Sequence, residues 1–205
     1  MMILLVRHGE TDWNRQKRLQ GRQNIPLCDS DREQMRRCGD ALVGLTVGAM
    51  RTSPLSRATE SAEILAAALS FPVDGIRAEH DLIERDCGSL DGLTQAELRV
   101  RRNQTERDET EPLYAVRERM MRTLLRVARH GNERCVVMVS HSAAIKALMA
   151  RLYNKPELQR KGTHNAGISL VEYKGGRLHP RAFDLTPEEA ARFLRRRGFF
   201  APPQS

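Results

Sequence analysis

The stretch Arg7-His8-Gly9-Glu10-Thr11 sets a cation beside an imidazole, directly after the apolar run Met2-Ile3-Leu4-Leu5-Val6. A short apolar run followed by glycine and polar residues reads as a buried strand ending in a loop. In open α/β sheets, ligands bind at such C-terminal strand ends. An arginine that neutralises charge and a histidine that attacks, both on a rigid support, suit a phosphoryl group. Gly9 would let the backbone approach an anion closely. Residues 135–139 form a second strong apolar run, and Ser140-His141-Ser142 follows it in the same way. Arg57 falls in the first turn of an expected helix, where the helix dipole disfavours a cation unless a bound anion faces it. Any one of these features alone is more often structural than catalytic. Two histidines and two arginines at one rim are poor core material. They are good material for phosphoryl transfer, which depends on charge neutralisation and positioning.

The elements that must hold these residues alternate in type. Strands are expected at residues 2–6, 47–50, 73–76 and 135–139, and a hairpin of two strands at 167–173 and 177–183. Residues 13–28, with Asn14, Gln20, Gly21 and Pro26, read as a loop over the mouth of the first strand. A helix is expected from about Arg32 to Leu45, capped by Asp29 or Ser30, with Met35, Cys38, Leu42 and Leu45 on its apolar side. A second helix runs from Arg57 to Leu69. Thr94 and Glu97 have the spacing of a capping box for a third. Residues 99–111 read as an exposed helix end and a mobile connection. Pro112 opens a long helix with Val116, Met120, Leu124 and Val127 buried, and Gly131 ends it. Helices follow at 143–152 and 187–197. Alternating strands and helices predict a three-layer α/β/α sandwich with a mainly parallel central sheet.

Length and composition narrow the class. The 205 residues suit one well-cored domain, expected over 1–198, with a disordered tail at 199–205. No apolar run approaches membrane-spanning length, and the N-terminal run is too short for a signal peptide. A cytoplasmic protein without membrane partners is expected. Cys28, Cys38, Cys87 and Cys135 show no CxxC spacing, so reduced thiols and no metal site are expected. The net charge of +8 suits an anionic partner. The clusters Arg99-Arg101-Arg102 and Arg195-Arg196-Arg197 read as solvated helix faces. Aromatic residues are only 4% of the chain, too few for base-stacking platforms, so no nucleic acid is expected. The expected partner is a small phosphorylated metabolite, taken by a monomer or a homodimer.

The chain resembles the histidine phosphatase superfamily, the phosphoglycerate mutase-like family. The resemblance rests on Leu5-Val6-Arg7-His8-Gly9-Glu10-Thr11-Asp12-Trp13-Asn14, Arg18-Leu19-Gln20-Gly21 and Ser53-Pro54-Leu55-Ser56-Arg57-Ala58. It continues in Glu84 with Gly88 and Gly92, and in Val139-Ser140-His141. It implies that His8 is a nucleophile forming a phosphohistidine. It implies that Arg7, Arg57 and His141 clamp the phosphoryl oxygens, and that Glu84 protonates the leaving oxygen. Thr11, Asn14, Gln20, Gly21 and Ser142 would line the substrate pocket. The implied chemistry needs no cofactor and no metal. Some positions depart from the common pattern. Ser142 replaces a frequent glycine, Cys28 replaces a helix-capping threonine, and a glycine usual near position 31 is absent. The frequent glycine-glutamate-serine segment is missing between 103 and 116.

Two enzymatic outcomes share the first half-reaction. A phosphatase passes the phosphoryl group to water, whereas a mutase returns it to a second hydroxyl of the bound molecule. Phosphoglycerate mutases of this family carry tyrosine at Cys87 and lysine at Gln95, and a longer segment before the final motif. The expected activity is therefore phosphomonoester hydrolysis, with mutase-type transfer as the alternative. A non-catalytic binder of phospholigands or nucleic acid ranks third, because it would need neither Glu84 nor His8.

Overall fold

The computed structural model describes residues 1–101 and 109–201. Its centre is a six-stranded mixed sheet. In chain order the strands are β1 (Met2–Arg7), β2 (Ala49–Thr52), β3 (Arg77–Ala78), β4 (Cys135–Ser140), β5 (Ile168–Lys174) and β6 (Arg177–Leu185). Their order across the sheet is β3-β2-β4-β1-β5-β6. The first four in that order are parallel, and β5 and β6 add antiparallel at one side. The helices are α1 (Asp12–Arg15), α2 (Asp29–Ala41), α3 (Ser56–Ala68), α4 (Gln95–Arg101), α5 (Leu113–His130), α6 (Ser142–Tyr153) and α7 (Pro187–Arg195). This is an α/β/α sandwich.

Why the strand β1 is apolar at every position follows from its place. Side chains alternate between faces along a strand, and a parallel central strand is covered on both. Met2, Leu4 and Val6 pack in one core with residues of α2, α3 and α7. Ile3 and Leu5 pack in the other with residues of α5 and α6. The neighbouring β4 is buried along its whole length in the same way. The pairing of β1 with β4 brings Arg7 opposite Ser140, and the His8 N–H donates to the Ser140 carbonyl at 3.0 Å. Both strands therefore end at the same level, and each is followed at once by a histidine.

Several expected elements differ in detail. Residues 12–15 are helical rather than loop. The Thr11 side chain caps the turn and Asn14 reaches back to the Thr11 N–H, a capping box. The helix α2 starts at Asp29, three residues before the expected Arg32, with Cys28 as an N-cap that makes no side-chain capping bond. It ends at Ala41 rather than Leu45. The expected strand at 73–76 is a 3-10 turn over Val73–Gly75, and pairing begins only at Arg77. Pro72 and Gly75 flank and end that turn, which two β-branched residues alone could not override. Phe199 and Phe200, expected in a loose tail, pack against the core beside α7, and Phe200 bridges to Leu45. Part of the connection expected at 99–111, residues 102–108, lies outside the described residues, as do 202–205. The box at Thr94 and Glu97 forms as expected, and α5 runs from Pro112 as N-cap to Gly131 as C-cap.

The contact between α2 and α3 depends on one missing methyl group. A Cβ at Gly39 would lie 2.5 Å from the Ala68 Cβ, which belongs to a short side chain that cannot swing away. Gly39→Ala would gain about 1 kcal/mol of helix propensity. Overpacking costs about 1–3 kcal/mol. The clash should win, so we expect Gly39→Ala to lower the unfolding free energy by about 1 kcal/mol. Urea titration measures this, and a raised midpoint would show that the two helices separate freely.

Candidate active site

His8 follows β1 and is almost fully buried. Its Nδ1 lies 2.5 Å from the Gly9 carbonyl oxygen. A carbonyl can only accept, so Nδ1 carries the ring proton and Nε2 keeps its lone pair. Burial, and then the charges of Arg57 and Arg7, hold His8 well below the ordinary histidine range. The ring is therefore neutral at pH 7, with a free basic nitrogen. The loop that fixes it is itself tied down: the Gly9 N–H donates to Ser61 Oγ, and that hydroxyl donates to the Arg57 carbonyl.

His141 follows β4 and is completely buried, with its ring centroid 5.0 Å from that of His8. Its Nε2 lies 2.7 Å from Ser53 Oγ, which in turn accepts the Leu55 N–H at 3.4 Å. Its Nδ1 is buried with no partner among the described residues. When the Ser53 hydroxyl donates to Nε2, the orphan Nδ1 carries the proton and is a donor waiting for an acceptor. Burial and then Arg57 hold this histidine well below its ordinary range as well.

The two arginines are held by carbonyls, not by carboxylates. Arg57 is buried in the first turn of α3 and donates to the Gln23 and Gly21 carbonyls at 2.6 and 2.9 Å. Arg7 donates to the Thr163 carbonyl at 2.5 Å. Carbonyls orient a guanidinium without cancelling its charge. The Nε of each is buried and has no partner among the described residues. Burial pushes Arg57 down to about 10 and lowers Arg7, yet both stay charged at neutral pH.

Glu84 comes from the loop after the turn His80–Leu82. Its carboxylate accepts the N–H groups of Ala143 and Ala144 at 3.1 and 3.0 Å, in the first turn of α6, and that of Arg85 at 2.8 Å. It thus satisfies two otherwise unpaired donors of a helix N-terminus. The loop is fastened from beneath by Arg119 of α5, which is buried. Arg119 donates to the carbonyls of Asp81, Ile83 and Glu84 and pairs with Glu111 at 2.8 Å. Neither Arg119 nor Glu111 was expected from the sequence. Arg119 occupies a buried position of α5, one residue before Met120. A charged residue at the edge of an apolar stripe was the available signal.

These groups border a cavity of about 290 Å³. Arg7, His8, Arg57 and Glu84 line it, and so do the expected Asn14, Gln20, Gly21 and Ser142. Asn14 accepts from the Thr11 N–H and hydroxyl through its Oδ1, which leaves its amide N–H groups to donate into the cavity. Gly21 adopts φ +47°, and a side chain there would collide with the Asp91 carboxylate. Two expected residues are not among those that line it: Thr11 is buried and used as the cap of α1, and His141 is fully buried with its ring beside that of His8. Lys17 and Lys146 also line the cavity, and neither was singled out from sequence.

The chain is similar to known proteins over most of its length. The uncharacterized phosphatase PhoE of Bacillus subtilis (strain 168) is 35% identical over 172 residues, covering 83% of this chain and 88% of its own. A probable phosphoglycerate mutase, GpmB of Salmonella arizonae, is 28% identical over 85% of this chain and 86% of its own. Among solved structures, Bacillus stearothermophilus YhfR superposes with a TM-score of 0.79 at 28% identity, covering 90% of this chain and 97% of that one. No helix among the described residues is long and apolar enough to cross a membrane. The model of the histidine phosphatase superfamily (branch 1) matches residues 3–186, nearly the whole chain, and the chain belongs to that superfamily.

Proposed function

We propose that the protein is a phosphomonoesterase that hydrolyses small phosphorylated metabolites through a phosphohistidine on His8. The observation that carries this reading is the state of His8. Its proton is committed to the Gly9 carbonyl, and its other nitrogen is free on a cavity wall between two uncancelled arginines. In the first step His8 Nε2 attacks phosphorus and the bond to the ester oxygen breaks. Arg7, Arg57, the Asn14 amide and the orphan His141 Nδ1 take up the charge on the phosphoryl oxygens. Glu84, protonated and turned from α6 towards the leaving oxygen, gives that oxygen its proton. In the second step Glu84 takes a proton from water, the water oxygen attacks phosphorus, and the bond to Nε2 breaks to release phosphate.

Support for hydrolysis over mutase-type transfer comes from the cavity wall. Cys87 and Gln95 line it, where the mutases of the family carry tyrosine and lysine. PhoE is named a phosphatase, whereas the likeness to GpmB favours the mutase as the second reading. A panel of phosphomonoesters, with 3-phosphoglycerate and a bisphosphoglycerate primer alongside, separates the two. Phosphate release supports the phosphatase, and conversion of 3- to 2-phosphoglycerate without release supports the mutase.

Four variants have expected outcomes. His8→Ala should reduce turnover to background and abolish an acid-labile phosphoenzyme in rapid-quench labelling, with an unchanged circular dichroism spectrum. Persisting turnover would sink the covalent route. Glu84→Gln should cost about 10²–10⁴-fold in kcat for alkyl phosphates, in the range of general acid catalysis, and far less for p-nitrophenyl phosphate. Equal losses would remove Glu84 from the role of leaving-group acid. Arg119→Met, which breaks a buried ion pair, should cost about 3–5 kcal/mol of stability. In the better-folded Arg119→Lys, kcat should fall more for alkyl than for aryl esters, because the displaced loop carries Glu84. A uniform fall would make Arg119 a structural residue only.

A further inference from the structure

Arg7 is oriented by a loop that is itself held from two sides. The loop, residues 161–167, joins the 3-10 turn Pro156–Arg160 to β5. Its sequence, Lys161-Gly162-Thr163-His164-Asn165-Ala166-Gly167, carries two glycines and little apolar surface, so its composition alone would not keep it still. Hydrogen bonds hold it instead. The Thr163 carbonyl accepts from the Arg7 guanidinium at 2.5 Å, and Thr163 Oγ1 lies 3.4 Å from the same nitrogen. Ser142 Oγ, at the start of α6, lies 2.7 Å from Thr163 Oγ1. The Arg7 N–H donates to the Gly167 carbonyl at 3.0 Å, so the loop meets both the backbone and the side chain of Arg7.

The second hold on the loop comes from Asp184 of β6. The His164 N–H is shared between the two Asp184 oxygens at 3.0 and 3.2 Å. His164 Nδ1 lies 3.0 Å from Asp184 Oδ2, and a carboxylate accepts, so that nitrogen donates. The ring is 71% exposed, and an exposed pair of this kind contributes little. The Asp184 side chain is only 13% exposed, so its bond to the backbone N–H is shielded and charge-assisted. The strand bends to provide it. Against β5, Ile168 pairs with Leu185 but Leu170 pairs with Ala182, so β6 carries an extra residue between them. Within that bulge Asp184 has φ +55°, a left-handed conformation that a non-glycine residue adopts at a cost. Bulges re-aim side chains, and this one turns Asp184 onto the loop. Gly167 leaves the space for it, since a Cβ there would lie 2.4 Å from Asp184 Oδ1. Arg7, Ser142, Thr163, Gly167, Ser169 and Asp184 close around one gap too small for a water molecule. Direct contacts, not solvent, therefore set the guanidinium.

We propose that Asp184 is a positioning residue: from its bulge it anchors loop 161–167, and the loop, locked by Ser142, aims the Arg7 guanidinium at the phosphoryl group. The inference rests on the reading of Arg7 as a clamp on that group. The Thr163 carbonyl takes one nitrogen of the guanidinium, and Arg7 still borders the cavity. A guanidinium recognises a phosphoryl group by direction as well as by charge. A displacement of about 1 Å is enough to cost about 100-fold in rate. Ser142 stands where a glycine is frequent in the family, and a glycine has no hydroxyl to offer Thr163. Asp184 makes no hydrogen bond to Arg7 itself, so its effect passes through the loop.

A double-mutant cycle with Arg7 tests this. Asp184→Gly removes the carboxylate and suits the left-handed backbone, so it frees the loop without straining β6. With p-nitrophenyl phosphate it should lower kcat/KM about 10- to 100-fold. In an Arg7→Ala background the same substitution should change kcat/KM by less than about two-fold, because the group it positions is gone. An equal fall in both backgrounds would make Asp184 a structural residue and overturn the proposal. Asp184→Asn keeps an acceptor for the His164 N–H and loses the charge, so it should recover most of the activity. An asparagine no better than the glycine would assign the effect to charge and overturn the anchoring. Should Asp184→Gly fail to fold, Asp184→Ser, too short to reach the loop, runs the same cycle with the same two outcomes. If the wild type hydrolyses no ester, the phosphatase reading falls by itself, and calorimetry with orthovanadate decides the positioning role. Asp184→Gly should weaken orthovanadate at least about ten-fold, and no more than Arg7→Ala does. An unchanged affinity, or no binding by the wild type, would overturn it.

Discussion

The parallel pairing of β1 with β4 is the contact on which the site depends. Its register sets Arg7 beside Ser140, so the two histidines leave the sheet together and their rings come within 5.0 Å. A slip of one residue would reverse every side chain of β1 between the two cores. It would also carry His8 about 3.3 Å along the strand. The two apolar cores therefore define the position of His8 as well as the fold. Met2, Leu4 and Val6 cannot move to the other face without leaving the side chains of α2 and α3 uncovered. Catalytic geometry here is a by-product of strand register, and the register is enforced by burial on both faces.

The same arrangement has a cost. Arg57 is among the largest fully buried side chains, and Arg7 and both histidines lie close to it. Burying like charges together opposes folding. Two features limit the penalty. Both histidines are kept neutral, and carbonyls of Gly21, Gln23 and Thr163 solvate the guanidinium groups in place of water. Neither feature removes the positive potential. The orphan Nε atoms of Arg7 and Arg57 and the orphan Nδ1 of His141 are donors without acceptors. An anion arriving among them recovers interactions that folding left unmade, and an anion that binds only the folded state stabilises it. Uncancelled charge is what distinguishes this arrangement from Arg119, whose charge is met by the Glu111 carboxylate and which holds a loop.

Most of the frame was legible because its strongest signals are local. The runs before His8 and His141 are continuous and apolar, and the capping box at Thr94 and the stop at Gly131 use groups within four residues. The missed details depend on partners far along the chain. Nothing within the sequence of α5 says that Arg119 will meet carbonyls of residues 81, 83 and 84. Thr11 looked like a pocket residue because it follows the motif directly. Its hydroxyl is claimed instead by the first turn of α1, a helix too short for periodicity to reveal. His141 leaves the sheet directly after β4, as expected, and its ring is fully buried 5.0 Å from that of His8. Strand register fixes where a residue leaves the sheet, and packing above the sheet decides which side chain reaches the cavity.

The position of Glu84 adds a constraint of its own. Its carboxylate occupies the N–H groups that open α6, a place with the donors and the helix dipole that would also suit a phosphoryl oxygen. Glu84 and a phosphoryl oxygen are thus competitors for the same donors. On the proposed route, entry of the substrate would favour release of Glu84 from Ala143 and Ala144, and the released carboxyl would be free to turn towards the leaving oxygen. Arg119 does not oppose this motion, because it grips the backbone carbonyl of Glu84 and leaves the side chain unheld. The backbone of the loop is thus fixed by Arg119, while the carboxylate rests on α6 N–H groups that would equally suit a phosphoryl oxygen.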